Sequence, residues 1–300
     1  MEPRVLLWSA WLFWGASCAS YSDADARRLS VYSGVAYMPQ GRMTKNWGRL
    51  ASEACNEVFD GTVLVGTWAN NHAAALVVED AARNEVVVAF KGSNNTADLI
   101  SALSGGELIF YDCVVRNVSL GRVHNAFCSY ATDIMQDSLI SNVTALVKAG
   151  RKLVVTGHSY GAAGAVVAAV FFHKSPEGPQ VTSTVYTYGQ PRTGDITFVD
   201  NTYAATADGG AFRVVNRNDP VAHLPPCVGV TACSQMAHCP FHNDVQAWYA
   251  TSMHAASDAT VCPGPDGSDG CGWTVNANVT AHMWYFEKDL GYMCMFPDDE

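Results

Sequence analysis

Basic residues are scarce in this 300-residue chain: 18 Lys and Arg against 28 Asp and Glu leave a formal net charge of −10. A field of that sign repels the phosphate backbone and gives no attraction to an anionic membrane surface, so nucleic acid is not an expected partner. After the N-terminal segment, no stretch reaches the roughly 20 consecutive apolar residues that cross a bilayer, so no transmembrane segment is expected. Internal repeats and low-complexity linkers are also missing, which points to a single domain over residues 20–300. Cysteines in paired short C-x-x-C units are absent too, so Cys227, Cys233, His238, Cys239 and His242 make a poor zinc set. Asp266-Gly267-Ser268-Asp269-Gly270 lacks the ligands of a full calcium loop and reads as a turn. Neither a metal nor a cofactor is expected. What the chain has is apolar mass: 49% of its residues are hydrophobic, enough for one large α/β domain with a closed core.

The first residues have the shape of an export signal. Arg4 precedes an apolar run from Val5 to Trp14, followed by Gly15, Ala16, Ser17, Cys18 and Ala19. A signal peptide over residues 1–19 and an extracellular mature chain are expected. Ten cysteines fit that compartment. Once Cys18 leaves with the signal, pairing is expected for Cys113 with Cys128, Cys262 with Cys271, and Cys55 with Cys294. Two of Cys227, Cys233 and Cys239 then pair and one thiol is left over. Sequons at Asn94, Asn117, Asn142 and Asn278 are candidate glycan acceptors.

Chemistry concentrates in one run. Lys152-Leu153-Val154-Val155-Thr156 reads as a buried strand, Gly157-His158-Ser159-Tyr160-Gly161 as a tight turn, and residues 162–172 as a helix of small apolar residues. G-x-S-x-G between strand and helix lifts a serine hydroxyl to the sheet's edge. Around it, residues 23–37 read as a helix, 75–78 and 86–90 as neighbouring strands, and 126–149 as one helix stopped by Gly150. Further strands are expected at 184–188 and 212–215. Strands alternating with helices imply a mostly parallel sheet covered on both faces, with reactive groups beyond the strands' C-terminal ends.

A serine hydroxyl needs a base to take its proton and an acid to orient that base. On this type of sheet the chain order is Ser, then Asp or Glu, then His. Asp219 follows the 212–215 strand and is the best-placed acid. Asp195 also follows a strand, but it opens a helix over 196–203 and an N-cap accounts for it. Nine histidines compete for the base. His158 lies beside the nucleophile and points away from it. Position favours His282 over His242, although chain order leaves the loop open. The oxyanion donors fall on the backbone N–H of Tyr160 and on Ser93, which follows the 86–90 strand.

These stretches together resemble the secreted filamentous-fungal lipases, the class 3 branch of the α/β-hydrolases. Val88 to Ser93 is similar to the family's strand ending Phe-Arg-Gly-Ser or Thr, and Val123-His124-Asn125-Ala126-Phe127 to its Val-His-x-Gly-Phe. The nucleophile elbow Gly157 to Gly161, then Tyr188-Gly189-Gln190-Pro191-Arg192-Thr193-Gly194-Asp195, and Asn218-Asp219-Pro220-Val221 with Leu224-Pro225-Pro226 follow in the same order. So do Phe241-His242 with Trp248-Tyr249, and Ala281-His282-Met283-Trp284-Tyr285-Phe286. The resemblance implies an α/β-hydrolase fold with a lid over the active site. It places the base at His282, makes His242 non-catalytic, and assigns Ser159, Asp219, Ser93 and Tyr160 as above. The chain departs from the pattern in Lys91 for arginine, Ala126 for glycine, Ala162-Ala163 for a Gly-Gly or Gly-Ala pair, a bulky Tyr160 and Met38 for cysteine.

By the same resemblance, residues 95–111 form the lid, with Leu99, Ile100 and Leu103 on one side of a short helix over 97–103. The implied function is a secreted serine ester hydrolase, a triacylglycerol lipase acting through an acyl-enzyme at an oil–water interface, as a monomer. A feruloyl or other carbohydrate esterase of the same fold is the alternative. A non-catalytic lipid- or glycan-binding protein on this scaffold is the alternative of another class.

Overall fold

A computed structural model describes residues 19–47, 53–104, 110–226, 240–243, 245–262, 271 and 277–294. The segment expected to be a signal peptide lies outside these residues except for Ala19, as do Cys227, Cys233, His238, Cys239 and the 266–270 turn. Among the described residues no helix is long and apolar enough to cross a membrane.

Twelve strands and nine α-helices are described. The strands are β1 (Val63–Ala69), β2 (Ala74–Asp80), β3 (Glu85–Phe90), β4 (Phe110–Val115), β5 (Val118–His124), β6 (Lys152–His158), β7 (Ser183–Tyr188), β8 (Ala211–Asn216), β9 (Val245–Tyr249), β10 (Ala259–Cys262), β11 (Trp284–Tyr285) and β12 (Lys288–Asp289). The helices are α1 (Asp23–Val35), α2 (Gln40–Asn46), α3 (Glu53–Phe59), α4 (Thr96–Ser104), α5 (Asn125–Ile134), α6 (Asp137–Lys148), α7 (Tyr160–Lys174), α8 (Ile196–Ala205) and α9 (Val279–Met283). Eight strands form one sheet in the order β1-β2-β3-β6-β7-β8-β9-β10. From β3 to β9 every neighbour is parallel, while β1, β2 and β10 pair antiparallel at the two ends.

Alternation along the strands sorts the core into two layers. Val86, Val88, Phe90 and Val155 pack with α5, α6 and α7, whereas Val87, Ala89, Val154 and Tyr186 pack with α1 on the other face. Both faces being covered explains why these strands read as continuous apolar runs. Helix α7 is the sheet's inner prop. Its residues from Gly161 to Phe172 are all buried, and only small residues let it lie so close: a Cβ on Gly164 would come within 2.6 Å of the Tyr130 ring.

The expected single helix over 126–149 is two helices. Met135 leaves helical geometry and Gln136 is extended, after which Asp137 opens α6. Helix α5 packs on α7 and on the β4–β5 hairpin, while α6 covers β1, β2, β3 and β6. One straight helix could not reach both surfaces, so tertiary packing outweighs an uninterrupted helical period. The helix at the start of the domain is as expected in type. It is capped by the Ser22 hydroxyl, which accepts from the Asp25 N–H at 3.2 Å.

Among the described residues three disulfides join Cys55 to Cys294, Cys113 to Cys128, and Cys262 to Cys271, the pairs expected from the sequence. The first links residues 239 apart and so restrains the largest loop of the unfolded chain. Replacing both partners with serine is expected to lower stability by about 2–5 kcal/mol, read as a drop in urea midpoint against the oxidised parent.

Candidate active site

Four parallel strands deliver their C-terminal ends to one rim: β3 runs into Ser93, β6 into Ser159, β7 into Gly189 and β8 into Asp219. At the end of β6 the chain turns sharply. Ser159 holds φ 59° and ψ −125°, a left-handed conformation that a side-chain-bearing residue adopts only when its surroundings impose it. Its N–H donates to the Tyr188 carbonyl at 2.8 Å, and its own carbonyl accepts from Ala162 in the first turn of α7. The flanking glycines permit the turn. A Cβ on Gly157 would strike the Gly161 carbonyl, and one on Gly161 would strike the carbonyls of Phe90 and Lys91. Ser159 is 1% exposed and its Oγ has no hydrogen-bond partner. An unpaired buried hydroxyl beside a helix N-terminus is energetically unfavourable unless it serves a purpose.

Asp219 and His282 form a buried pair on the same rim. His282 Nδ1–H donates to the carboxylate at 2.9 Å from each oxygen, and neither residue has measurable exposure. The carboxylate also accepts from the Tyr285 hydroxyl at 2.8 Å and from the Val221 N–H at 2.9 Å. Burial alone would raise this carboxyl, but the charge and hydrogen bond of the His282 ring, with the Tyr285 hydroxyl, hold it below the ordinary carboxylate value. With Nδ1 occupied by Asp219, the proton-accepting nitrogen of His282 is Nε2, which is buried and without a partner, like Ser159 Oγ.

The backbone carrying His282 is fastened on both sides. Asn216 Nδ2 donates to the carbonyls of Ala281 at 3.2 Å and Trp284 at 2.6 Å, and the Asn278 N–H reaches the Asn218 carbonyl at 3.1 Å. Gly189 lies against the pair: a Cβ there would sit 2.5 Å from Asp219 Oδ2 and 2.7 Å from His282 Nδ1. Sequence reasoning missed Asn216, Tyr285 and Gly189 as parts of the site. Tyr285 and Gly189 stood within stretches that resemble the family, with no role assigned to either; their spacing to Asp219 and His282 exists in three dimensions alone.

The other expected site residues sit nearby. Ser93 and Tyr160 line one cavity of about 830 Å³, bounded by α4, by the turn between β1 and β2, and by α5. The Ser93 hydroxyl is engaged with Asn95, donating to its carbonyl and accepting from its N–H. The Tyr160 side chain is fixed by its hydroxyl, which donates to the Ala126 carbonyl at 2.6 Å, and by an edge contact with Tyr130. Leu99 and Leu103 on α4 turn inward and join the core, with Ile100 partly buried beside them. The Thr96 hydroxyl contacts Met283 Sδ at 3.7 Å, which ties the start of that helix to the residue after His282. Residues 105–109, the rest of the expected lid apart from Phe110 and Tyr111, lie outside the described residues. Lys91, the departure from arginine, places its ammonium 6.0 Å from the Tyr37 ring centroid.

His242 is 2% exposed and donates through Nε2 to the Ala222 carbonyl at 2.7 Å. Burial, then the charges of Arg213 and Arg192, push its pKa well below the ordinary value, as for a neutral structural imidazole. Asp195 caps α8 through the Phe198 N–H at 3.1 Å.

His158 is also buried and neutral. Burial, then the neighbouring His282, lowers its pKa from 6.5 to about 3. In the unfolded chain it would titrate normally, so its contribution to stability is complete above pH 6.5 and is lost as pH falls from 6.5 toward 3. The expected loss between pH 7 and pH 4 is on the order of a few kcal/mol, and urea titrations of the parent and of His158→Gln at both pH values would measure it.

A strained serine at a strand-to-helix elbow, placed with a buried Asp–His pair at one rim, can now be set beside known proteins. The chain matches the family model of Lipase (class 3) over residues 87–229. Over that segment the chain is similar to the class 3 lipases. A secreted mono- and diacylglycerol lipase 1 of Fusarium solani is 28% identical over 76% of this chain and 65% of that protein. A lipase of Rhizomucor miehei is 26% identical over 70% of this chain and 61% of that protein. The chain thus matches less than two thirds of either relative's length. The solved structure of Rhizomucor miehei triacylglyceride lipase superposes with a TM-score of 0.72 at 23% identity, covering 92% of this chain and 99% of that one. Rhizopus niveus lipase II gives 0.71 at 20% identity, covering 92% and 98%. The shared fold is the α/β-hydrolase fold.

Proposed function

We propose that this chain is a class 3 lipase, a secreted serine ester hydrolase that cleaves acylglycerols, with Ser159, His282 and Asp219 as its catalytic residues. The observation that carries the reading is the buried Asp219–His282 pair beside a strained Ser159, with Ser159 Oγ and His282 Nε2 both left unpaired. Ser159 Oγ attacks the ester carbonyl carbon while His282 Nε2 takes its proton. The backbone N–H groups of Ser93 and Tyr160 receive the oxyanion. His282, held by Asp219, then gives the proton to the departing alcohol and leaves an acyl-serine. Water, deprotonated by the same ring, releases the acid. Asp219 stays ionised throughout and stabilises the imidazolium.

Helix α4 supports the lid assignment, since Leu99 and Leu103 are turned inward where an opening motion would expose them. Val279 and Trp284, 48% and 44% exposed, flank His282 and suit contact with a lipid surface. The relatives' names, which include mono- and diacylglycerol lipases, support the acylglycerol class.

A second reading rests on the cavity that Ser93 and Tyr160 line. Among its lining residues Asn70, Asn71, His72, Asp98 and Asp133 offer hydrogen-bond partners for the free hydroxyls of a partial acylglycerol or a sugar ester. A fluorophosphonate probe is expected to label Ser159 in the folded protein and not in Ser159→Ala; absence of labelling would sink the hydrolase reading in favour of a lipid- or glycan-binding protein. Rates on emulsified triacylglycerol, monoacylglycerol and a feruloyl ester, compared above and below substrate solubility, separate the substrate classes.

A further inference from the structure

The histidine beside the nucleophile has no part in the steps above, yet its ring has partners at both nitrogens. His158 Nε2 lies 2.7 Å from the His282 carbonyl oxygen, and His158 Nδ1 lies 2.7 Å from the Tyr37 hydroxyl. A carbonyl can only accept, so Nε2 carries the proton. Nδ1 then holds a lone pair, and the Tyr37 hydroxyl donates to it. One tautomer satisfies both bonds. The ring is fully buried, lies 4.6 Å from the His282 ring between centroids, and meets the Tyr285 ring edge-on at 5.8 Å.

The chain of bonds reaches further at the other end. Tyr37 follows α1, on the opposite side of the sheet from α5 to α7. A Cβ on Gly92 would run into the Tyr37 hydroxyl and lie 2.7 Å from the His158 carbonyl. Gly92 immediately precedes Ser93. The same hydroxyl is therefore packed against the loop that carries a proposed oxyanion donor and hydrogen-bonded to the ring that holds the base's backbone.

We propose that Tyr37 and His158 are positioning residues, forming a neutral hydrogen-bonded strut that fixes the His282 backbone and the Gly92–Ser93 loop in one register. The proposal rests on His282 being the catalytic base. The strut explains why an imidazole is used. Imidazole is a rigid ring that accepts at one nitrogen and donates at the other, so it can transmit position from a hydroxyl to a carbonyl without a net charge. Charge would be harmful here, because His282 becomes an imidazolium during each acyl transfer and the two rings are in contact. The groups facing His158 are Tyr37, His282, Asp219 and Tyr285, and among them Asp219 already serves His282.

The test begins with the unaltered protein. Nitrogen-15 NMR of histidine-labelled protein, with the His158 signals assigned by their loss in His158→Gln, is expected to show an Nε2-protonated neutral ring that does not titrate between pH 5 and pH 9. An Nδ1-protonated ring, or one that titrates near pH 6.5, would overturn the proposal without reference to activity. Kinetics on a soluble short-chain ester then follow, with enzyme concentration set by active-site titration. Tyr37→Phe is expected to lower kcat about tenfold with KM changed less than about twofold, because misplacement of a catalytic group acts on the transition state. His158→Gln, whose carboxamide N–H can still reach the His282 carbonyl, is expected to retain several times the kcat of His158→Leu. If both variants melt at lower temperature while kcat per active site is unchanged, the pair only packs and the strut is refuted. Fluorophosphonate labelling of Ser159 in the unaltered protein reports separately on the hydrolase reading.

Discussion

Asp219→Asn is expected to reduce kcat by about four orders of magnitude with little loss of fold, the size seen when a triad carboxylate is replaced by its amide. The carboxylate accepts His282 Nδ1–H at 2.9 Å, the Tyr285 hydroxyl at 2.8 Å and the Val221 N–H at 2.9 Å. An asparagine cannot be acceptor to all three through both terminal atoms. If its NH2 faces His282, the imidazole must place its lone pair on Nδ1 and its proton on Nε2. Nε2 then donates toward Ser159 instead of accepting from it, and the serine keeps its proton. The loss should appear in kcat and in the rate of fluorophosphonate labelling alike, with KM for a soluble ester nearly unchanged. A kcat within tenfold of the parent would mean that Asp219 does not orient the base.

A smaller effect is expected from Tyr285→Phe, since the carboxylate keeps two of its three donors. Loss of one hydrogen bond to a charged group is worth about 1.5–3 kcal/mol. The Asp219 carboxyl would rise toward its ordinary pKa, because that hydroxyl helps hold it down. The loss should appear in kcat with KM for a soluble ester nearly unchanged, and steady-state kinetics on the variant would show it.

How much of this site could be read in the sequence follows from what chain order encodes. The elbow was legible because its constraints are local: a buried strand, two glycines where backbones touch, and a small-residue helix, all within residues 152–174. Asp219 was legible because a parallel sheet sends the end of each strand to the same rim. His282 was less so. It comes from α9 after stretches outside the described residues, and only the family resemblance chose it over His242 before the structure placed it on Asp219. The fold class followed from alternating strands and helices. The antiparallel strands β1 and β10 and the β4–β5 hairpin were not anticipated. Val63 and Val261 on those edge strands are exposed, so the burial alternation that marks a strand is weakened there. The residues least visible were those acting at a distance. Asn216 grips the backbone on both sides of a histidine 66 positions later, and Tyr37 meets His158 across 121 positions. No local pattern signals a hydrogen bond of that span.

Gly189 shows how tightly the pair is enclosed, and Gly189→Ala is expected to cost about 10²–10³ in kcat while the protein still folds. Two independent constraints act at this position. Its φ of +56° is left-handed, where an alanine is disfavoured by about 1–2 kcal/mol. Its missing side chain is also the space next to the Asp219–His282 pair: a Cβ would stand 2.5 Å from Asp219 Oδ2 and 2.7 Å from His282 Nδ1. Neither partner can retreat. Asp219 is held by Val221 and Tyr285, and the His282 backbone by Asn216 and His158. The least costly response is rotation of the imidazole away from the carboxylate, which moves Nε2 off the line to Ser159. The φ penalty alone would lower the melting temperature and leave kcat per active site intact. A loss of kcat beyond that, with unchanged KM on a soluble ester, would assign the effect to the displaced pair, and full activity in the folded variant would show that the Asp219–His282 geometry tolerates more movement than its packing implies.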